Sequence, residues 1–135
     1  MSQPADREPS LNVSPLLVPW LVIGVGVVVH LGFLFQVFHP KWLTVMSLVF
    51  PAVVLLPWIL LGVCVVTARG RARAALISSV VALFYLLFAA WAYWDAIYVH
   101  PDPQGGLIFM VMPVLGVLGA LVLLVGLVVT KPQPS

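Results

Sequence analysis

The sequence predicts an all-α membrane protein with four transmembrane helices in an up-down-up-down bundle. Three observations predict this fold class: 63% of the 135 residues are hydrophobic, only 7% are charged, and the apolar residues form four long runs. Soluble domains carry about 25% charged residues, so this composition does not provide a surface that faces water. Helices satisfy their backbone groups in lipid, and the strict alternation typical of barrel strands does not occur in these runs.

Each apolar run is long enough to cross a hydrocarbon core of about 30 Å as a helix. We predict spans at residues 16–38, 43–66, 75–97 and 107–129. The residues before the first span, 1–15, are polar and interrupted by prolines, which predicts a disordered cytoplasmic tail. Residues 130–135 form a second, short cytoplasmic tail. Because the connections are short, consecutive spans are expected to run antiparallel.

Basic residues predict the orientation of the spans. The second connection, residues 67–74, carries three arginines, namely Arg69, Arg71 and Arg73. Four spans place both termini on the same side as this connection, which adds Arg7 and Lys131 and leaves Lys41 on the opposite side. Basic residues concentrate on the cytoplasmic side, so both termini are predicted to be cytoplasmic and the membrane to be the cell membrane. A basic run can also mark nucleic-acid or anionic-lipid binding, but three arginines beside two spans more often indicate topology, and no nucleic-acid partner is predicted.

Small residues predict which helix faces pack together, because they let helix backbones approach closely in lipid. On the fourth span, such residues fall within one half of the helix circumference: Gly116, Gly119, Ala120 and Gly126, with Pro113 and Leu123. On the third span, they lie on one face in the same way: Ala75, Ser78, Ala82, Ala89, Ala92 and Ala96. We expect both faces to point into the bundle.

Two ionisable residues within the spans are candidates for function. His30 lies roughly 12 Å below the outer end of the first span, and intramembrane ionisable residues are costly enough to suggest function. The alternative is a neutral histidine that forms a hydrogen bond across a helix interface. Asp95 lies near the outer end of the third span, where a solvated carboxylate at the membrane surface is the simpler interpretation.

The predicted outer connections hold the other candidate residues, which are His39, His100 and Asp102. With Asp95 they offer imidazole and carboxylate ligands of the kind that zinc or copper bind, but no helical spacing of metal ligands occurs, so no metal site is predicted. The stretch YVHPDPQGGL, residues 98–107, contains prolines and glycines that favour a turn. A predicted outer belt of aromatic residues is formed by Trp42, Trp91, Tyr93, Trp94 and Tyr98.

The sequence contains no catalytic triad, phosphate-binding loop or pair of intramembrane carboxylates, so neither an enzyme nor a cofactor is predicted. The first functional hypothesis is a non-catalytic accessory or assembly subunit of a membrane complex. Its expected partners are the lipid bilayer and another membrane protein or a second copy of this chain. The second hypothesis is an oligomeric transporter or channel subunit with a polar vestibule open to the outside, using His30 and Asp95. The third is a binder of metal or a small ligand at the outer connections.

Overall fold

The protein consists of four long helices, and the computed structural model describes residues 16–37, 46–101 and 107–130. The helices are α1 (Leu17–Val37), α2 (Met46–Thr67), α3 (Ala72–Trp94) and α4 (Ile108–Val129). A short π-helical segment, Asp95–Val99, continues α3. Each helix is long and apolar enough to cross a membrane, and no strand occurs in the ranges described. The predicted all-helical class, with four helices long and apolar enough to span a membrane, is therefore confirmed.

The helix ends differ from the predicted spans by a few residues. One difference is at α3, which begins at Ala72 although the predicted span begins at residue 75. Arginines in the first turn of a helix can extend into the polar headgroup region, so the helix does not have to start where the apolar run starts. The turn before α3 contains Gly70 with a φ of 78°, a left-handed conformation that glycine adopts without steric cost.

Close contacts around two glycines determine how the helices cross. A Cβ at Gly26 on α1 would overlap the ring of Trp58 on α2, and a Cβ at Gly116 on α4 would meet Tyr85 and Pro57. Nearer the N-terminal end of α1, Trp20 faces Gly62, which lies further along α2 than Trp58. The two contacts therefore show that α1 and α2 run antiparallel. The most extensive helix contact in the described part is between α2 and α4, which do not follow one another in the chain.

The predicted contact face of α4 needs a correction. Gly116 and Ala120 are buried, but Gly119 and Gly126 are exposed, with open space where a Cβ would be built. The prediction that these two glycines pack into the bundle is therefore wrong. The physical reason is the orientation of α4, which faces α2 with Gly116 and Ala120. On α2, the Sγ of Cys64 lies 3.5 Å from the carbonyl oxygen of Ala120.

The small-residue face of α3 points into the bundle along most of its length. Five of its six residues are buried and the sixth, near the end, is partly buried: Ala75, Ser78, Ala82, Ala89, Ala92 and then Ala96. The Ser78 hydroxyl donates to the carbonyl of Ala74 at 2.9 Å, so the buried polar atom is satisfied by its own helix. This face leaves room for larger rings, and those rings build the candidate site.

Candidate functional site

His30 lies in the middle of the bundle and has no exposed surface. Its Nδ1 lies 2.9 Å from the carbonyl oxygen of Gly26, one turn earlier on α1. A carbonyl oxygen only accepts, so Nδ1 must carry the proton and the neutral ring has a bare lone pair at Nε2. The sequence suggested a hydrogen bond across a helix interface as the structural alternative. The bond that the structure contains lies within α1 instead.

Three aromatic rings surround the imidazole of His30. Trp58 on α2 makes an edge contact with a centroid separation of 5.1 Å. Tyr85 stacks on the imidazole at 5.6 Å, and Tyr93 makes an edge contact at 5.2 Å, both from α3. Glycine at position 26 lets Trp58 approach this closely. We call His30, Trp58, Tyr85 and Tyr93 the ring cluster.

The ring cluster contains buried polar atoms without a hydrogen-bond partner among the described residues. These atoms are Nε2 of His30, Nε1 of Trp58 and the hydroxyl oxygen of Tyr93. They differ in chemistry: the imidazole nitrogen accepts, the indole N–H donates, and the phenol does both. An unpartnered polar atom in a low-dielectric interior costs about 1–3 kcal/mol, so three of them on touching rings form a polar centre within apolar surroundings. Tyr85 differs, since its hydroxyl donates to the carbonyl of Met112 at 3.4 Å.

Further rings cover the side of the cluster that leads toward the predicted outer connections. Tyr93 stacks on Phe109 of α4 with centroids 4.4 Å apart, and Phe33 of α1 packs on Tyr93 at 5.7 Å. Tyr93 is completely buried, so its predicted place in the outer aromatic belt is wrong. It belongs to the core because His30, Phe33 and Phe109 supply ring partners for it. His30 is thus enclosed by side chains and does not line an open vestibule in this structure.

Asp95 and His100 form a pair at the end of α3. The Nδ1 of His100 lies 3.1 Å from a carboxylate oxygen of Asp95, and the His100 backbone N–H donates to the Asp95 carbonyl at 2.8 Å. The π-helical segment brings residues five apart into register, whereas a regular α-helix aligns residues three or four apart. The His100 side chain is 77% exposed, so this is a surface pair. No hydrogen bond or ion pair joins His30 to Asp95 among the described residues.

Two of the predicted site residues, His39 and Asp102, lie outside the described residues, as does Trp42 of the predicted belt. Within the described ranges, no group of three or more potential metal-ligating residues occurs. The pair of Asp95 and His100 is therefore the part of the predicted outer cluster that the structure brings together.

Arg71 has a structural role that the sequence did not predict. Its guanidinium donates to the Leu127 carbonyl through both terminal nitrogens at 3.1 Å, and to the Thr67 carbonyl at 3.1 Å. It thereby joins the ends of α2 and α4, whose last carbonyls have no partner within the helix. Arg69 and Arg73 are exposed. We call the end of the bundle that carries these three arginines the basic end.

The described residues line apolar grooves on the outside of the bundle, two of which border the ring cluster. The first, between α1 and α2, has a volume of about 550 Å³ and runs from Leu55 to Thr67 along α2. The second, between α3 and α4, has a volume of about 200 Å³ and is lined in part by Phe84, Phe88 and Gly119. Each groove borders the ring cluster on one side, through Trp58 and Tyr85 respectively.

Trp58 and Tyr85 were not predicted as site residues, although their positions in the sequence contain a signal. Tryptophan and tyrosine normally collect at the ends of spans, where the polar atom meets water or headgroups. Trp58 and Tyr85 lie near the middle of α2 and α3, where the polar atom of each ring has to face the protein interior.

Comparisons of the chain with protein-family models, curated proteins and solved structures found no match.

Proposed function

We propose that this chain is a small, non-catalytic accessory or assembly subunit of a membrane complex. In this proposal the four helices cross the cell membrane in an up-down-up-down order, with both termini in the cytoplasm. The basic end supports this orientation, because arginines collect on the cytoplasmic side. A cysteine replacing Arg73 should resist an impermeant thiol reagent in intact cells, while one replacing Gln104 should react. The reverse labelling pattern would refute the orientation.

The observation that carries the proposal is the exposed glycine face of α4 beside the α3–α4 groove. Gly119 lines this groove and has open space above it. Small residues in a span allow close approach of another helix, and the neighbours of Gly119 within the chain do not use that opportunity. The occupant we propose is a transmembrane helix of another polypeptide.

Aromatic side chains on α3 form the other wall of this docking surface. Phe84 and Phe88 stack with a centroid separation of 6.2 Å, and Phe88 and Trp91 stack at 6.0 Å. Phe84 and Trp91 are 70% and 62% exposed. A row of rings facing a glycine groove offers both the area and the close backbone approach that helix association in lipid requires.

The polar groups of the bundle interior also favour an accessory role over transport. The buried hydroxyls of Ser78 and Ser79 donate to carbonyls of their own helix. His30 is enclosed by aromatic rings. A transport pathway needs polar groups that water or substrate can reach, and these side chains are occupied or covered.

Site-specific photocrosslinking tests the proposed docking surface. A photoreactive phenylalanine at Leu115, which lines the α3–α4 groove, should give one adduct of defined mass in cells. Gly119→Leu should abolish that adduct by filling the groove, whereas Gly32→Leu, at an exposed glycine of α1, should leave it unchanged. Adducts with lipid alone would contradict the proposal, and an adduct of twice the chain mass would replace the foreign helix by a second copy.

A second candidate function, the transporter or channel subunit, is favoured by the unpartnered polar atoms of the ring cluster. Movement of Trp58 or Tyr93 would expose a histidine that changes charge near neutral pH. The test compares His30→Gln with the native chain in cells that show a deletion phenotype. Normal abundance with lost function would favour this candidate, whereas normal abundance with retained function would support the accessory role.

A further inference from the structure

We infer that the α1–α2 groove is a binding site for one anionic phospholipid, with an acyl chain in the groove and the phosphate at the basic end. This site lies on a different face from the proposed docking surface and does not depend on it. The inference combines the length of the groove, its apolar lining and the positive charge at one of its ends.

The groove has the length of an acyl chain in one leaflet. Its lining residues on α2 extend from Leu55 to Thr67, which corresponds to about 18 Å at the helical rise. One leaflet contributes half of a hydrocarbon core of about 30 Å, or about 15 Å. A partner helix that crosses the membrane would need a groove about twice as long. The dimensions therefore favour a lipid chain from the leaflet at the basic end.

The groove is shaped by a missing side chain and a large ring. Gly62 provides a flat stretch of α2, and the ring of Trp20 lies across from it at 3.6 Å from the position of an added Cβ. Ile23 and Val27 of α1 form the opposite wall. The volume of about 550 Å³ is in the range of pockets that hold small molecules, about 300–1,000 Å³. The groove opens sideways, so a lipid can enter from the bilayer.

Positive charge lies where the phosphate of such a lipid would be. Thr67, the last groove residue on α2, accepts a hydrogen bond from Arg71 at its carbonyl oxygen. Arg69 is two residues further along the chain, is exposed, and its backbone N–H bonds to the carbonyl of Val66, another groove residue. Asp95, the acidic residue in the described ranges, lies at the opposite end of α3. A phosphate at this position would meet arginines, and none of the described residues places a carboxylate beside them.

The guanidinium of Arg71 already donates hydrogen bonds to carbonyls at the ends of α2 and α4. We therefore assign the contact with the lipid headgroup to Arg69. Arg73 provides the matched control, because it is exposed in the same connection but belongs to α3, which contributes no lining residue to this groove. A control for the apolar part is Gly32, an exposed glycine on α1 that lines neither groove.

Native mass spectrometry of the full chain tests the site. The protein is exchanged into nanodiscs of equal phosphatidylglycerol and phosphatidylcholine content, released, and its lipid adducts are counted. We expect one phosphatidylglycerol per chain in clear excess over phosphatidylcholine. Arg69→Gln should lower the ratio of the two adducts about fivefold, the effect of one basic group at a membrane surface. Arg73→Gln should leave the ratio unchanged.

Gly62→Leu should reduce the retention of both lipids by filling the groove, while Gly32→Leu should not. Circular dichroism and the thermal midpoint establish that each variant is folded. If Gly62→Leu unfolds the protein, Gly62→Ala together with Val63→Phe narrows the groove by smaller steps. Equal retention of the two lipids, equal effects of the two arginine variants, or displacement of the adduct by glycerol phosphate alone would overturn the inference.

Discussion

Replacing Gly116 by alanine should destabilise the bundle by about 2–3 kcal/mol, the upper part of the range for overpacked cores. A Cβ at this position would lie 2.5 Å from Cζ of Tyr85 and 2.8 Å from Cβ of Pro57. Carbon atoms in contact are about 3.5–4.0 Å apart, so both neighbours would have to withdraw by roughly 0.7–1 Å. Neither moves easily, since Tyr85 is almost fully buried and the Pro57 ring is fixed to the backbone of α2.

Gly119→Ala is the matched control, because it makes the same chemical change three residues along α4 in open space. It should not destabilise the bundle, and the higher helix propensity of alanine should stabilise it by up to about 1 kcal/mol. The assay is reversible unfolding in mild detergent by increasing fractions of dodecyl sulfate, followed by tryptophan fluorescence. Equal destabilisation by the two alanines would refute the packing that we describe for α4.

A double substitution separates the two walls around Gly116. Tyr85→Ala removes the nearer wall and leaves Pro57 in place. In that background the cost of Gly116→Ala should fall, with a coupling energy of about 0.5–3 kcal/mol, as found for residues in contact. A coupling near zero would assign the whole penalty to Pro57 and to the crossing of α2 with α4.

Three further outcomes are expected. Arg71→Gln should lower stability by about 1–2 kcal/mol, because it removes charge-assisted hydrogen bonds to two helix ends at a half-exposed site, whereas Arg73→Gln should have little effect in the same unfolding assay. His100→Ala should leave stability within about 0.5 kcal/mol, because its contact with Asp95 is a surface pair; a larger loss would show that the π-helical segment depends on it. His30→Gln should preserve abundance, because the glutamine amide can donate to the same carbonyl, and His30→Leu should lower it by removing that bond. Loss of the glutamine variant to degradation would contradict this.

Much of the fold could be predicted because it depends on properties that are local in the sequence. Four apolar runs of sufficient length determine four helices, since lipid offers the backbone no other hydrogen-bond partner. The positions of the ends were less predictable. Asp95 illustrates the reason: the chain continues after α3 as a π-helical segment, in which Asp95 pairs with His100 at a spacing of five residues that is not α-helical.

The central residue of the candidate site could be predicted from the sequence, but the rings around it could not. His30 is conspicuous in an apolar span, but its surroundings come from side chains on two other helices. Which rings meet it depends on how α1 crosses α2 and α3, and that crossing depends on Gly26. Tyr93 shows the same limit, because its distance from the span end suggested the membrane surface while its actual neighbours are in the core.

The glycines of α4 show most clearly what a helical wheel leaves open. Gly116 and Gly119 lie within one half of the circumference of α4. A Cβ at Gly116 would meet other helices of the chain, whereas a Cβ at Gly119 would meet none. The wheel identifies a face that permits close approach, but it does not identify which polypeptide approaches. Gly116 gains its contact because Pro57 and Tyr85 crowd one edge of α4. Gly119 lies at the other edge of α4 and would also allow a helix to approach closely, but from outside the bundle. An exposed glycine beside a row of stacked rings therefore points to a helix from outside the chain, and the crosslink at Leu115 tests that directly.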